Sequence, residues 1–132
     1  MARPKRTKPP RLMTQVELEL MTHLWELGEA TVREIAQRLP PGRDLAYTSV
    51  ATMMRVLEGK RMVRSERRGR AHVFRPRIAK GVYQSRSVKD LVERVFDGMP
   101  TALVARLLDD DGLSREDLER IVNDRLGAER DR

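Results

Sequence analysis

No cysteine occurs anywhere in the 132 residues. Disulfides, thiolate metal centres and thiol nucleophiles are thereby excluded together, as a reducing compartment would have it. No apolar run approaches the roughly 20 residues of a membrane span, and no secretory-type apolar stretch stands at the N-terminus, so a cytoplasmic protein without a membrane partner is expected. There is also no internal repeat, nucleophile elbow, phosphate-binding glycine loop or catalytic dyad. His23 and His72 have no acids or thiols at ligand spacing. The acidic run Asp109 to Asp111 offers three carboxylates, but consecutive residues at a helix end point apart and read as a solvated terminus and turn. Catalysis, a metal and a cofactor are not expected, and a metal-dependent nuclease is the weakest class.

What the chain does have is positive charge, unevenly spread. The formal net charge is +7. Residues 1 to 80 hold 18 Lys/Arg against 8 Asp/Glu, a net of +10, whereas residues 81 to 132 hold 9 against 12, a net of −3. A basic front joined to a mildly acidic rear points to a polyanion bound at one end and another task at the other. The segment "VRSERRGRAHVFRP", Val63 to Pro76, gathers five arginines around one glycine. Such crowding repels itself unless an anionic partner neutralises it.

Residues 1–11, "MARPKRTKPPR", combine three prolines with five basic residues and read as a disordered arm. Helical signals begin at Thr14, where "TQVE" forms a capping box with Glu17. Val16, Leu20, Leu24 and Leu27 make one stripe of this helix and Leu18, Met21 and Trp25 the opposite one, so it should be covered from two directions. Gly28 closes it, and Thr31 with Glu34 caps a second helix carrying Val32, Ile35, Ala36 and Leu39. A third helix is expected over about Tyr47 to Lys60. Val50, Met53, Met54 and Leu57 recur at the spacing of a buried stripe. Its other side presents Thr48, Thr52, Arg55 and Gly59, with Ser49 at the edge. A face so small and polar, with no acid, is atypical of a merely solvated helix.

The arginine-rich segment then reads as a hairpin. Val63, Ser65 and Arg67 would run antiparallel to Phe74, His72 and Arg70 across a tip at Arg68 and Gly69, with Val63 and Phe74 facing the core and His72 inside the hairpin face. Three helices followed by a basic-tipped hairpin make a winged helix-turn-helix. A helix fits the major groove of duplex DNA, where base edges carry a distinguishable pattern. Thr48 and Thr52 are the expected base readers, and Arg55 is placed to fork onto guanine or onto a phosphate. Arg43, Tyr47 and Ser49, at or before the helix start, are placed for phosphates, as are Arg67, Arg68 and Arg70 on the wing.

From Ser87 onward the pattern is helical again, in three short amphipathic segments. They carry Leu91 and Val95, then Leu103, Val104 and Leu107 after Pro100, then Leu118, Ile121 and Val122 after Ser114. Together they expose more apolar surface than they can cover alone, which predicts a homodimer. Twofold symmetry then matches an inverted-repeat operator. The expected organisation is mainly α with a small β-hairpin wing: a basic arm over 1–11, a winged helix-turn-helix DNA-binding domain over 12–80 and a C-terminal helical dimerisation domain over 81–132. The competing class is a sequence-indifferent, nucleoid-type DNA-binding protein, for which the basic front would suffice.

Four stretches, "HLWELGEATVREIAQRL", "RDLAYTSVATMMRVLEGKRMVR", "RRGRAHVFRP" and "ALVARLLDDDGLSREDLERI", occur in an order that resembles the penicillinase repressor family over about residues 12 to 126. The resemblance implies a homodimeric winged-helix transcriptional repressor of genes such as a β-lactamase. It further implies TACA and TGTA half-sites matched by Thr48, Ser49, Thr52 and Arg55. Copper-responsive members carry a cysteine-rich C-terminal motif, which this chain lacks. Members inactivated by a regulatory protease are cut at an Asn-Phe bond, and Arg106 and Leu107 stand at that position here.

Overall fold

The computed structural model describes residues 12–130, with side chains described through Gly127; the basic arm at 1–11 lies outside the described residues. The chain divides into two compact units, one through Ser87 and one from Val88.

In the first unit three helices precede the hairpin: α1 (Gln15–Leu27), α2 (Val32–Gln37) and α3 (Tyr47–Gly59). The Thr14 hydroxyl accepts from the Glu17 amide at 3.2 Å, and Glu17 Oε1 accepts from the Thr14 amide at 3.1 Å. Thr31 and Glu34 repeat this reciprocal box at the start of α2, at 3.2 and 3.1 Å. Gly28 ends α1 with φ 82°, which a residue with a Cβ adopts only at a cost. The core is built from Leu20, Met21, Leu24, Ile35, Val50, Met54, Leu57, Val63 and Phe74, all fully buried. Each such side chain contributes about 1.5–3 kcal/mol. Because Val50, Met54 and Leu57 lie on one stripe, their burial fixes which side of α3 faces outward.

Leu18 and Leu27 are each 36% exposed, so α1 is covered mainly on its Leu20–Met21–Leu24 side and not from two directions. Trp25 is partly buried, and its indole N–H donates to the Ile78 carbonyl at 2.9 Å.

The hairpin pairs β1 (Val63–Arg68) with β2 (Ala71–Pro76) antiparallel. Its register differs from the sequence expectation: Val63 pairs with Pro76, Ser65 with Phe74 and Arg67 with His72. The tip is therefore Gly69–Arg70, not Arg68–Gly69. Turn chemistry sets this, because Gly69 (φ 61°) takes the first central position of a two-residue loop, where positive φ is required. A shift of two residues preserves the pleat parity, so Val63 and Phe74 still face the core, each 1% exposed. His72 lies on that same face but nearer the tip, beyond the cover of the helices, and it is exposed. The segment before α2 joins the sheet edge through Ala30, which exchanges two backbone hydrogen bonds with Phe74 at 2.8 and 3.0 Å.

Helix α4 (Lys80–Val95) begins seven residues before the expected Ser87. Tyr83 explains the extra turns. It is buried, its hydroxyl accepts from the Met13 amide at 2.9 Å, and its ring lies 6.1 Å from that of Trp25. The first compact unit thus runs past residue 80 to Ser87.

In the second unit, α4 ends through Asp97 and Gly98, both at positive φ, with the Gly98 amide donating to the Val92 carbonyl at 2.9 Å. That return reaches one residue farther back than the six-to-one bond of a Schellman closure, which the chain makes instead at the end of the next helix, where the Gly112 amide donates to the Leu107 carbonyl at 2.9 Å. Pro100 opens α5 (Pro100–Asp109), where its missing N–H costs nothing. Asp110 and Asp111 finish the helix in an exposed turn, and Ser114 with Asp117 boxes the start of α6 (Arg115–Arg130).

Candidate nucleic-acid interface

The outer side of α3 is bare. Tyr47 is 57% exposed, Thr48, Thr52, Arg55 and Gly59 are exposed, and Ser49 is half-buried at the edge. Ala46 is the N-cap of α3 and has no side chain able to cap it, whereas α1 and α2 both carry reciprocal boxes. The first amides of α3 are thus left without a side-chain acceptor, the arrangement in which a helix N-terminus binds an anion. The Thr52 hydroxyl donates back to the Thr48 carbonyl at 2.9 Å. Donating there leaves the oxygen free to accept from a base amino group, and the exposed residue also carries a methyl that suits a thymine methyl.

Beside this face runs a groove of about 650 Å³ between the start of α2, α3 and the hairpin. It brings together Tyr47, Thr52, Arg55 and Arg70 from the expected set. Arg33 and His72 also line it, and no carboxylate does. Arg33 was not expected there; its only sequence signal is that it follows the capped start of α2. His72 was expected inside the hairpin face.

Arg55 is held in place. Its guanidinium lies 5.7 Å from the Phe74 ring centroid and bonds Glu58 at 2.9 Å. Ser65 donates to the other oxygen of Glu58. The Ser65 hydrogen bond, and after it Arg55, hold the Glu58 carboxyl below the usual range against the opposing effect of burial. The side chain thus reaches from the helix over the Phe74 ring of the wing.

The remaining expected arginines are occupied within the protein. Arg43 forks onto Glu19 of α1, with its Nη2 at 3.0 Å, and this pairing raises the guanidinium pKa further. It ties the loop before α3 to α1 and lies outside the groove. Arg68 forks onto Glu29 at 3.0 and 3.2 Å, and Arg67 donates to the Gly69 carbonyl at 3.2 Å, closing the turn. Thr48 and Ser49 flank the groove without lining it.

In the second unit Val92 alone among the described residues is buried. Leu91, Val95, Leu107, Ile121 and Val122 are exposed, Leu103, Val104 and Leu118 are half-buried, and α5 has no buried residue. No helix among the described residues is long and apolar enough to cross a membrane.

Comparison with known proteins fits this geometry. The transcriptional regulator BlaI of Mycobacterium tuberculosis H37Rv is 42% identical over 62 residues, 46% of this chain and 45% of the relative, so the chain matches about half the length of that regulator. The penicillinase repressor of Bacillus licheniformis is 23% identical over 109 residues, covering 83% of this chain and 85% of the relative. Among solved structures, the DNA-binding domain of the repressor BlaI superposes with a TM-score of 0.50 at 25% identity, over 58% of this chain and 92% of that domain. The family described as penicillinase repressor matches residues 13–124. The chain therefore belongs to the penicillinase repressor family, a family of transcriptional repressors and not of enzymes, and it carries that family's winged-helix DNA-binding fold.

Proposed function

We propose that the protein is a homodimeric, sequence-specific repressor that binds an inverted-repeat operator in double-stranded DNA. The observation that carries this reading is the bare side of α3, Thr48, Thr52 and Arg55, set beside an uncapped helix start and a groove lined by arginines and by no carboxylate. Thr48, Ser49, Thr52 and Arg55 read base edges in the major groove. Tyr47 and the first amides of α3 take a phosphate, and Arg67, Arg68 and Arg70 steady the wing on the backbone. Arg43 contributes by holding the loop ahead of α3, and it exchanges Glu19 for a phosphate only on contact.

Dimerisation follows from the second unit, whose apolar residues Leu91, Val95, Leu103, Val104, Leu107, Leu118, Ile121 and Val122 have no cover within their own chain sufficient to bury them. A second copy supplies that cover and sets two reading helices one DNA turn apart. If each protomer neutralises about four phosphates, the dimer neutralises about eight. Affinity then falls with salt at a log–log slope near −7. Release from DNA by a regulatory protease would act at Arg106 and Leu107, which sit inside α5, so cleavage there requires that helix to unwind.

Selection from a random duplex pool tests the reading, followed by competition against excess random DNA at physiological salt. Enrichment of one inverted repeat that survives the competitor is the expected result. Binding with no enriched sequence would establish the nucleoid-type alternative instead. A promoter of a penicillinase-type gene is the first natural duplex to try, since relatives carry that name.

A further inference from the structure

The wing is not presented to solvent as a bare cluster of arginines. Glu29, in the turn between α1 and α2, receives two of them at once. Arg68 forks onto both carboxylate oxygens at 3.0 and 3.2 Å, and Arg75 bonds Oε2 at 2.8 Å. Glu66 stands farther from Arg68, at 3.8 Å. The turn that carries Glu29 is itself fastened to the wing by the paired Ala30 and Phe74 backbones, which keeps the Glu29 backbone beside the two arginines. The two arginines, first through their hydrogen bonds and then through their charge, keep the Glu29 carboxyl below the usual range, so it stays ionised at neutral pH.

We propose that Glu29 is a built-in counter-charge for the wing, occupying Arg68 and Arg75 so that a duplex phosphate must displace it. The proposal rests on the reading that the wing meets DNA. Exposed ion pairs of this kind are weak, so exchange of Glu29 for phosphate is close to balanced, and the arginines add little net backbone affinity. Backbone contacts supply nearly all sequence-indifferent binding. Holding them back leaves the base contacts of α3 a larger share of the total, which makes Glu29 a determinant of specificity although it touches no base.

The test is Glu29→Gln, which removes the charge but keeps an acceptor for the arginines, assayed on a short duplex of random sequence across a salt series. Affinity at low salt should rise about three- to tenfold and the log–log slope should steepen by about one. Glu29→Ala should move both in the same direction. In an Arg68→Ala/Arg75→Ala background, Glu29→Gln should change neither. An unchanged slope in the otherwise native protein, or an equal gain in the background lacking both arginines, would overturn the proposal while leaving DNA binding intact. Failure of the native protein to bind any duplex at low salt would overturn the reading beneath it as well.

Discussion

Lys60→Met probes the joint that holds α3 in place. Lys60, the residue that caps the end of α3, donates to Glu17 Oε1 at 2.8 Å, and Glu17 lies in the first turn of α1. The glutamate side chain is 6% exposed and the lysine 21%. Within the described protein, Glu17 Oε2 has no hydrogen-bond partner. Methionine keeps most of the aliphatic stem and deletes the ammonium, so the loss is chiefly the interaction and not packing. A charge-assisted hydrogen bond contributes about 1.5–3 kcal/mol, and orphaning a fully buried charge costs about 3–5 kcal/mol. Water still reaches Lys60, which places the expected loss at about 2–3 kcal/mol. With an m-value near 2 kcal/mol/M, the urea midpoint should fall by about 1 M at neutral pH.

Acid should narrow that gap. Burial pushes the Glu17 carboxyl up, but Lys60 and the Thr14 hydrogen bonds together outweigh it and leave the folded value below the ordinary one. A depressed folded value means that the unfolded chain takes up protons first as pH falls. The stabilisation is therefore complete above the ordinary carboxylate range and is lost as pH drops through the depressed value. Without Lys60, burial is opposed by Thr14 alone, and the variant has less to lose on acidification. A loss under about 0.5 kcal/mol at neutral pH, or a gap that stays constant into acid, would refute this account of the joint.

Three further outcomes are expected. Tyr83→Phe removes the acceptor of the Met13 amide while keeping the ring beside Trp25, so urea unfolding should show a loss of about 1 kcal/mol or slightly more. Arg70→Ala, in the two-residue tip beside Gly69, should weaken binding to all duplexes alike and flatten the salt slope by about one unit per protomer, measured by fluorescence anisotropy. Ile121→Asp places a charge in the exposed apolar surface of α6 and should yield monomers by sedimentation, with operator affinity falling at least tenfold.

Local signals made much of the first unit legible in the sequence. Thr14 with Glu17 and Thr31 with Glu34 act within one turn, so two helix starts could be placed from four residues. The stripe of Val50, Met54 and Leu57 likewise reported its own burial. Errors came where the deciding partner is distant. Nothing near Lys80 announces a helix start, because Tyr83 takes its role from Met13, 70 residues away. The hairpin slipped by two residues because either side of Gly69 offers a plausible tip; only its place as the first loop residue decides. The arginines were legible as a positive cluster, but their restraint was not. Glu19 lies 24 residues from Arg43, and Glu29 lies 39 from Arg68, separations that carry no periodic signal.

The central claim is that duplex DNA meets the outer side of α3 and the adjoining wing tip. Chemical-shift mapping of isotope-labelled protein with its selected operator tests it most directly. The largest changes should fall on the amides from Tyr47 to Arg55, on the Thr48 and Thr52 methyls, and on Gly69 to His72. Unmoved Thr48 and Thr52 signals at saturation, with the changes clustered on another surface, would contradict it.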